Sequence, residues 1–247
     1  MLAGVLVGYE FKRGKRRTIG FSVGPDGLVV SAPKWVPLYD IDKAVGAKSA
    51  WILEKLQQTR ERHKSLELAR IEWKDGASFR FLGRDAVVVL DPAHSFGSAG
   101  AELKSECMLS ADNGAGASPL CLQVALPHSA SAEQIRDAVQ AWLMRQAKRL
   151  FIERLDHFAP TVNVQWRKLS LSSAGTRWGS ASADGSIRLN WRLIHFKQSV
   201  IDYVVVHELS HLRVMDHSPR FWDTVRAVVP DYAELRGQLK QEPVPKW

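Results

Sequence analysis

The stretch Tyr203–Trp222, YVVVHELSHLRVMDHSPRFW, sets three histidines and a glutamate inside otherwise apolar, helix-prone sequence. The chain holds 8 histidines in 247 residues. A chance H-E-x-x-H somewhere in such a chain is on the order of one in a hundred. Residues four apart on a helix share a face, so His207 and His211 aim at one point. Glu208 stands one residue round, close enough to reach a water at a bound ion without ligating the ion. The competing reading is two core histidines beside an accidental glutamate. Three features weigh against it. Ser199 and Asp202 in SVID fit a capping box, which starts the helix just there. Val204 to Val206 are apolar enough to bury that helix. His217 follows His211 by six residues.

A catalytic zinc site takes three protein ligands and keeps a fourth position for water. His217 falls past the expected helix end near Met215, where the chain can turn back before SPRFW opens another helix with Ser218 as cap and Pro219 first. The competing third ligand is Glu234, after the PDY turn; His217 is preferred because its placement is local. His63, His94, His128, His157 and His195 lack partners at ligand spacing and read as ordinary packed or exposed histidines. One zinc ion so held lowers the pKa of water to about 7, and Glu208 acts as general base and then acid. Arg177, Asn190, Tyr203 and Tyr232 are candidate oxyanion donors that sequence does not rank.

Composition bounds the rest. Apolar residues make 45% and charged residues 24% of the chain, an ordinary globular balance. No run approaches a membrane span, and the apolar start followed by KRGKRR has the wrong order for a secretory signal. Cys107 and Cys121 make neither a framework nor a metal knuckle and read as reduced thiols of a cytoplasmic protein. The net charge of +8 suits polyanions, so nucleic acid stays open as a partner through the basic surface. The KRGKRR run itself, Lys12 to Arg17, reads as a solvated hairpin. Oligomeric state is not legible.

Along the chain, TIGFSV and LVVSAP read as strands around GPDG. From Ile41 to about Leu68 the apolar spacing is helical, and SFRFLGRDAVVVLD returns to strand. Between Gly97 and Ser118, 13 of 22 residues are Gly, Ala or Ser, an insertion-like composition. Ser131 and Gln134 form a capping box ahead of a long amphipathic helix carrying Ile135, Val139, Trp142, Leu143, Leu150 and Phe151. TVNVQWRKLSL alternates like a strand, and TRWGSASADGSIRLNWRLI like a hairpin turning at Asp184–Gly185. The expected organisation is a strand-rich region with one long helix over 1–96, a flexible insertion over 97–130, and a catalytic core over 131–247.

The blocks RRTIGFSV, WILEKL, RWGSASADGSIRLNWRLI, IDYVVVHELSHLRVMDHSPRFW and PDYAELR together resemble the YgjP-like metallohydrolase family, a bacterial group with a SprT-like zinc site. The resemblance runs from near Arg16 to about Arg236. It implies an α+β fold with a zincin-like core, an active-site helix against an antiparallel sheet. It also implies zinc held by His207, His211 and His217, with Glu208 catalytic. The family's W-G-S-C-S reads WGSAS here, with Ala181 in the cysteine's place, and Ala181 is taken as a packing position. The activity implied is a zinc metallopeptidase acting on a peptide or protein, which an edge strand such as SIRLNWRLI would bind by β-addition. The alternatives are a zinc-dependent nucleotide or phosphate-ester hydrolase, since activated water also attacks phosphorus, and a nucleic-acid-associated module with structural zinc.

Overall fold

The capping box at Ser131 is formed as read: its hydroxyl accepts from Gln134 N, and the Gln134 side chain accepts from Ser131 N. It opens the longest helix of the computed structural model, which describes residues 6–24, 26–68, 71–93, 100–104 and 119–241, with the side chains of 62–68 left out. That helix, α3, spans Ala132–Val162 and buries a single stripe from Ile135 through Phe151 to Val162. Each large apolar side chain so buried contributes about 1.5–3 kcal/mol. Leu150, expected in the stripe, is only half-buried. The helix also absorbs the start of TVNVQ, and ends on Asn163, whose φ of 59° closes its C-terminus in the left-handed conformation. The expected strand therefore shrinks to Lys168–Ser172.

The chain divides at Arg70/Ile71 into two compact units. In the first, β1 (Tyr9–Gly14), β2 (Gly20–Gly24) and β3 (Gly27–Pro33) form a sheet in the order β1-β3-β2. The β2–β3 pair is antiparallel, as the strands around GPDG suggest. KRGKRR is not a hairpin: Lys12–Gly14 belongs to β1, which runs parallel to β3. Arg13 donates to the carbonyls of Pro33, Lys34 and Val36, so part of the basic run is spent on holding β3's exit. The expected helix is two, α1 (Leu38–Ala47) and α2 (Ser49–Leu68), broken at Lys48. Ile41, Val45 and Ile52 pack with Leu28, Val30 and Ala32, while Trp51 stays 40% exposed.

In the second unit, β4 (Ser78–Phe81) and β5 (Arg84–Leu90) meet at Leu82–Gly83, both at positive φ, as a two-residue hairpin requires. With β6 (Ala101–Lys104) and β7 (Leu120–Val124) they make a sheet in the order β4-β5-β7-β6. The strands over 78–90, grouped by the sequence reading with the N-terminal region, thus belong to the unit that carries α3. Ala101–Lys104 and Leu120–Val124, from the stretch read as an insertion, are paired strands of that sheet; 105–118 lie outside the described residues. A second sheet, β8-β10-β9, is built from β8 (Lys168–Ser172), β9 (Gly179–Ala181) and β10 (Ser186–Asn190).

Both sheets mix one parallel pair, β5–β7 and β8–β10, with antiparallel ones. The fold is α+β. β10 is the central strand of its sheet, so SIRLN cannot be an edge; β8 and β9 are. A 3-10 turn, Trp191–His195, then leads into α4 (Gln198–His211), followed by α5 (Pro219–Val228) and α6 (Tyr232–Gln241). The β4–β5 turn docks on that 3-10 segment through Leu82 N to Ile194 O and Gly83 N to His195 O. Among the described residues no helix is long and apolar enough to cross a membrane.

Candidate metal centre

Helix α4 is rich in β-branched residues, which propensity alone disfavours. Burial overrides that. Val200, Ile201, Val204, Val205, Val206 and Leu209 are all buried, with α3, α5, α6 and β9 packed around them. The capping box read at Ser199 and Asp202 does not form. The helix begins earlier, with Lys197 at the cap position and no side-chain cap. Asp202 is engaged elsewhere: Arg154 of α3 donates to both of its oxygens, at 2.6 and 3.0 Å. That fork fixes α4 on α3. Burial raises the Asp202 carboxyl above its usual range, and Arg154 offsets this only in part.

The helix stops at His211, and a tight turn carries His217 back over it. Ser218 takes the cap position before Pro219 at the first turn of α5, but without a side-chain cap bond. Its N–H instead donates to Asp216 Oδ1 at 3.2 Å. In this arrangement one ligand atom from each of His207, His211 and His217 lies within 4.8 Å of the others, the only such cluster among the described residues. His217 Nε2 and His207 Nε2 are 3.2 Å apart. Two nitrogens sharing a tetrahedral zinc at about 2.0–2.1 Å would stand about 3.3 Å apart. His211 Nδ1 faces the Val214 carbonyl at 3.2 Å. A carbonyl only accepts, so Nδ1 carries the hydrogen and the His211 Nε2 lone pair is left bare.

Two further observations fit a cation here. Glu208 Oε2 is buried and lacks a hydrogen-bond partner. Burial, reinforced by the neighbouring imidazoles and Arg236, lowers the His207 pKa to about 3, so the ring is neutral. Burial likewise lowers His211. It pushes Glu208 up to about 8; a divalent cation in front of that carboxyl would favour its ionised form. A donor set of three imidazoles suits zinc better than magnesium or calcium.

The walls of the site are aromatic. Phe221 of α5 touches all three imidazoles, at centroid distances of 4.9, 4.5 and 4.8 Å. Trp222 stacks on His217 and on Tyr232. A cavity of about 290 Å³ opens on the cluster, with Trp178, Gly179, Tyr203, His207, Glu208 and Arg236 in its lining. The sequence reading placed SPRFW only as a helix start and missed Phe221, Trp222 and Gly179. The aromatic pair directly after His217, and the glycine in WGS, were the available signals.

Of the candidate oxyanion donors, Asn190 is spent: it is buried, donates to Ala174 O and Arg177 O, and accepts from Arg192 N. Tyr232 accepts from Arg226 and stacks on Trp222. Tyr203 alone of the four lines the cavity. Glu234, the competing ligand, is exposed, accepts from Gln238, and is not in the cluster. Ala181 is half-buried and packs against the core, as a packing position would. His195 is buried with Nδ1 donating to Arg80 O at 2.6 Å, while His128 and His157 are exposed. His94, Cys107 and the His63 side chain lie outside the described residues; Cys121 is buried in β7.

Set beside known proteins, the chain falls within a metallopeptidase class: the family model described as "YgjP-like, metallopeptidase domain" matches residues 17–242. The chain belongs to the YgjP-like metallopeptidase family. No protein of curated function matches it by sequence. Among solved structures it is similar to the metallopeptidase zymogen abylysin of Pyrococcus abyssi. That match has 22% identity and a TM-score of 0.34, and covers 39% of this chain and 99% of that one. It is also similar to the zymogen jannalysin of Methanocaldococcus jannaschii, at 17% identity and a TM-score of 0.34, over 37% and 94% of the two chains.

Proposed function

We propose that the protein is a zinc-dependent peptidase in which His207, His211 and His217 hold one ion and Glu208 is the catalytic base. The observation that carries this reading is the convergence of three imidazoles within 4.8 Å, two of which, His207 and His217, line one cavity together with the buried Glu208. Zinc, when bound, lowers the pKa of water to about 7 and polarises the carbonyl under attack. The chain's own groups do the rest. Glu208 takes a proton from the attacking water and returns it to the leaving amine. The aromatic wall of Phe221 and Trp222 keeps the imidazoles in place and limits water. Tyr203 lines the cavity, where its hydroxyl can serve as donor to a developing oxyanion.

β9 is one of the two edge strands of its sheet, and it packs against α4. An extended peptide adding to β9 would run its carbonyls past the histidine cluster. Three protein ligands leave one position open, which speaks for catalysis over structural zinc.

The test compares zinc-loaded wild type with Glu208→Gln on a mixed peptide digest read by mass spectrometry. Cleavage should stop with a chelator and fall by roughly a hundredfold or more in the variant. Full activity in Glu208→Gln would sink the proposed role. Release of phosphate or pyrophosphate from a nucleotide, with no peptide cut, would transfer the site to phosphoryl chemistry.

A further inference from the structure

Helix α6 brings Arg236 and Lys240, one turn apart, to the cavity above the histidine cluster; Glu208 is the sole carboxylate in that lining. Neither cation has a carboxylate within ion-pair distance among the described residues. Arg236 is also held in place. Its guanidinium carbon stands 5.0 Å from the centroid of Trp222, and Trp222 is itself stacked on Tyr232 at 5.2 Å and 18°. A guanidinium fixed by an aromatic face keeps its fork of donors oriented before a ligand arrives, which lowers the ordering cost of binding. Elsewhere in this unit a buried-side arginine already meets a carboxylate: Arg154 holds Asp202 through two bonds. Arg236 offers the same fork to the cavity.

We propose that Arg236, assisted by Lys240, is a specificity-determining subsite for a carboxylate of the bound peptide. The inference rests on the zinc-peptidase reading and deepens it by naming the substrate class: chains with an acidic side chain, or a free carboxyl terminus, near the scissile bond. The planar fork favours a carboxylate bound through two parallel hydrogen bonds. Lys240, on a flexible stem, adds charge without directing geometry.

The test uses zinc-loaded Glu208→Gln protein titrated by calorimetry. One Gln-based peptide is made with a single Glu walked along it, and each version with a free or an amidated carboxyl terminus. At one Glu position, or at the free terminus alone, affinity should exceed that of the neutral peptide by roughly tenfold, the value of one charge-assisted bond. The two series separate the two sources of the carboxylate. Arg236→Met with Lys240→Met should abolish that advantage, and Arg236→Glu should turn it into a preference for Lys at the same position. Retained circular dichroism and zinc content show that the variants are folded. Equal affinity for acidic and neutral peptides, or an advantage that survives both variants, overturns the subsite. Hydrolysis by wild type reports separately on the peptidase reading. If no peptide is cut while the Arg236-dependent preference stands, that reading falls and the subsite does not.

Discussion

Gly179 on β9 lies flat against Glu208 on α4, so closely that a methyl group at its Cα would stand 2.7 Å from both Cγ and Cδ of the glutamate. The glycine of WGS is therefore there for close approach, not for backbone freedom. β9 can slide over the carboxylate only because nothing projects from that position.

Gly179→Ala should consequently push the Glu208 side chain aside. Overpacking of this kind costs about 1–3 kcal/mol, and displacing a catalytic group by about 1 Å costs on the order of a hundredfold in rate. The expected variant binds zinc normally, melts slightly lower, and has kcat/KM reduced about a hundredfold. Steady-state assays beside metal analysis check this; unchanged kcat/KM would mean the carboxylate has room the geometry denies it.

The meeting of the three histidines was legible in the sequence because it is local. His207, Glu208 and His211 are placed by one helical turn, and His217 by a short return, so no distant contact is needed to predict their meeting. What failed was non-local. Ser199 and Asp202 spell a capping box, yet Asp202 prefers Arg154, distant in sequence, whose fork no local pattern announces. Val162, Val164 and Trp166 alternate like a strand, but α3 runs on until Asn163 turns left-handed. SIRLN looked like an edge because its hairpin partner β9 was visible, whereas the parallel neighbour β8 arrives from before the hairpin. The 97–130 stretch looked like an insertion by the composition of 97–118, although two of its segments pair in the sheet.

The Arg154–Asp202 fork makes a second prediction. Both side chains are mostly buried, with 14% and 17% exposure, so removing one leaves the other charged and desolvated. Asp202→Leu or Arg154→Met alone should destabilise the fold by about 3 kcal/mol, while the two together should recover much of that loss. Urea unfolding of the two single variants and the double variant gives the coupling energy. Additive losses would show that the pair does not hold α4 on α3.

A pH dependence follows for the metal-free protein. Glu208 has a folded pKa of about 8 against an ordinary 4.5, so its contribution is whole below pH 4.5 and is lost as pH rises through 8. His207 runs the other way. With its folded pKa lowered to about 3 from 6.5, its contribution is whole above pH 6.5 and is lost as pH falls toward 3. Between 4.5 and 6.5 the two oppose each other. From pH 6.5 to 8 the loss at Glu208 stands alone, at about 2 kcal/mol. Denaturant melts of metal-free wild type should show that decline and those of Glu208→Gln should not; parallel curves for the two proteins would refute it.

His217 offers the cleanest separation of metal binding from folding, because it sits on the exposed turn after α4 rather than in the core. In wild type, zinc at a thousand times its dissociation constant should stabilise the fold by about 4 kcal/mol. For a chain of this length that raises Tm by about 10 °C. His217→Ala removes one imidazole and its stacking on Trp222, at 5.7 Å, but leaves the buried core intact. Its metal-free Tm should therefore stay within about 2 °C of metal-free wild type, while most of the zinc-induced rise disappears. Differential scanning calorimetry with and without zinc distinguishes the outcomes. A variant that keeps the full rise would show that the third ligand lies elsewhere; one that already melts far below wild type without zinc would show that His217 serves the fold.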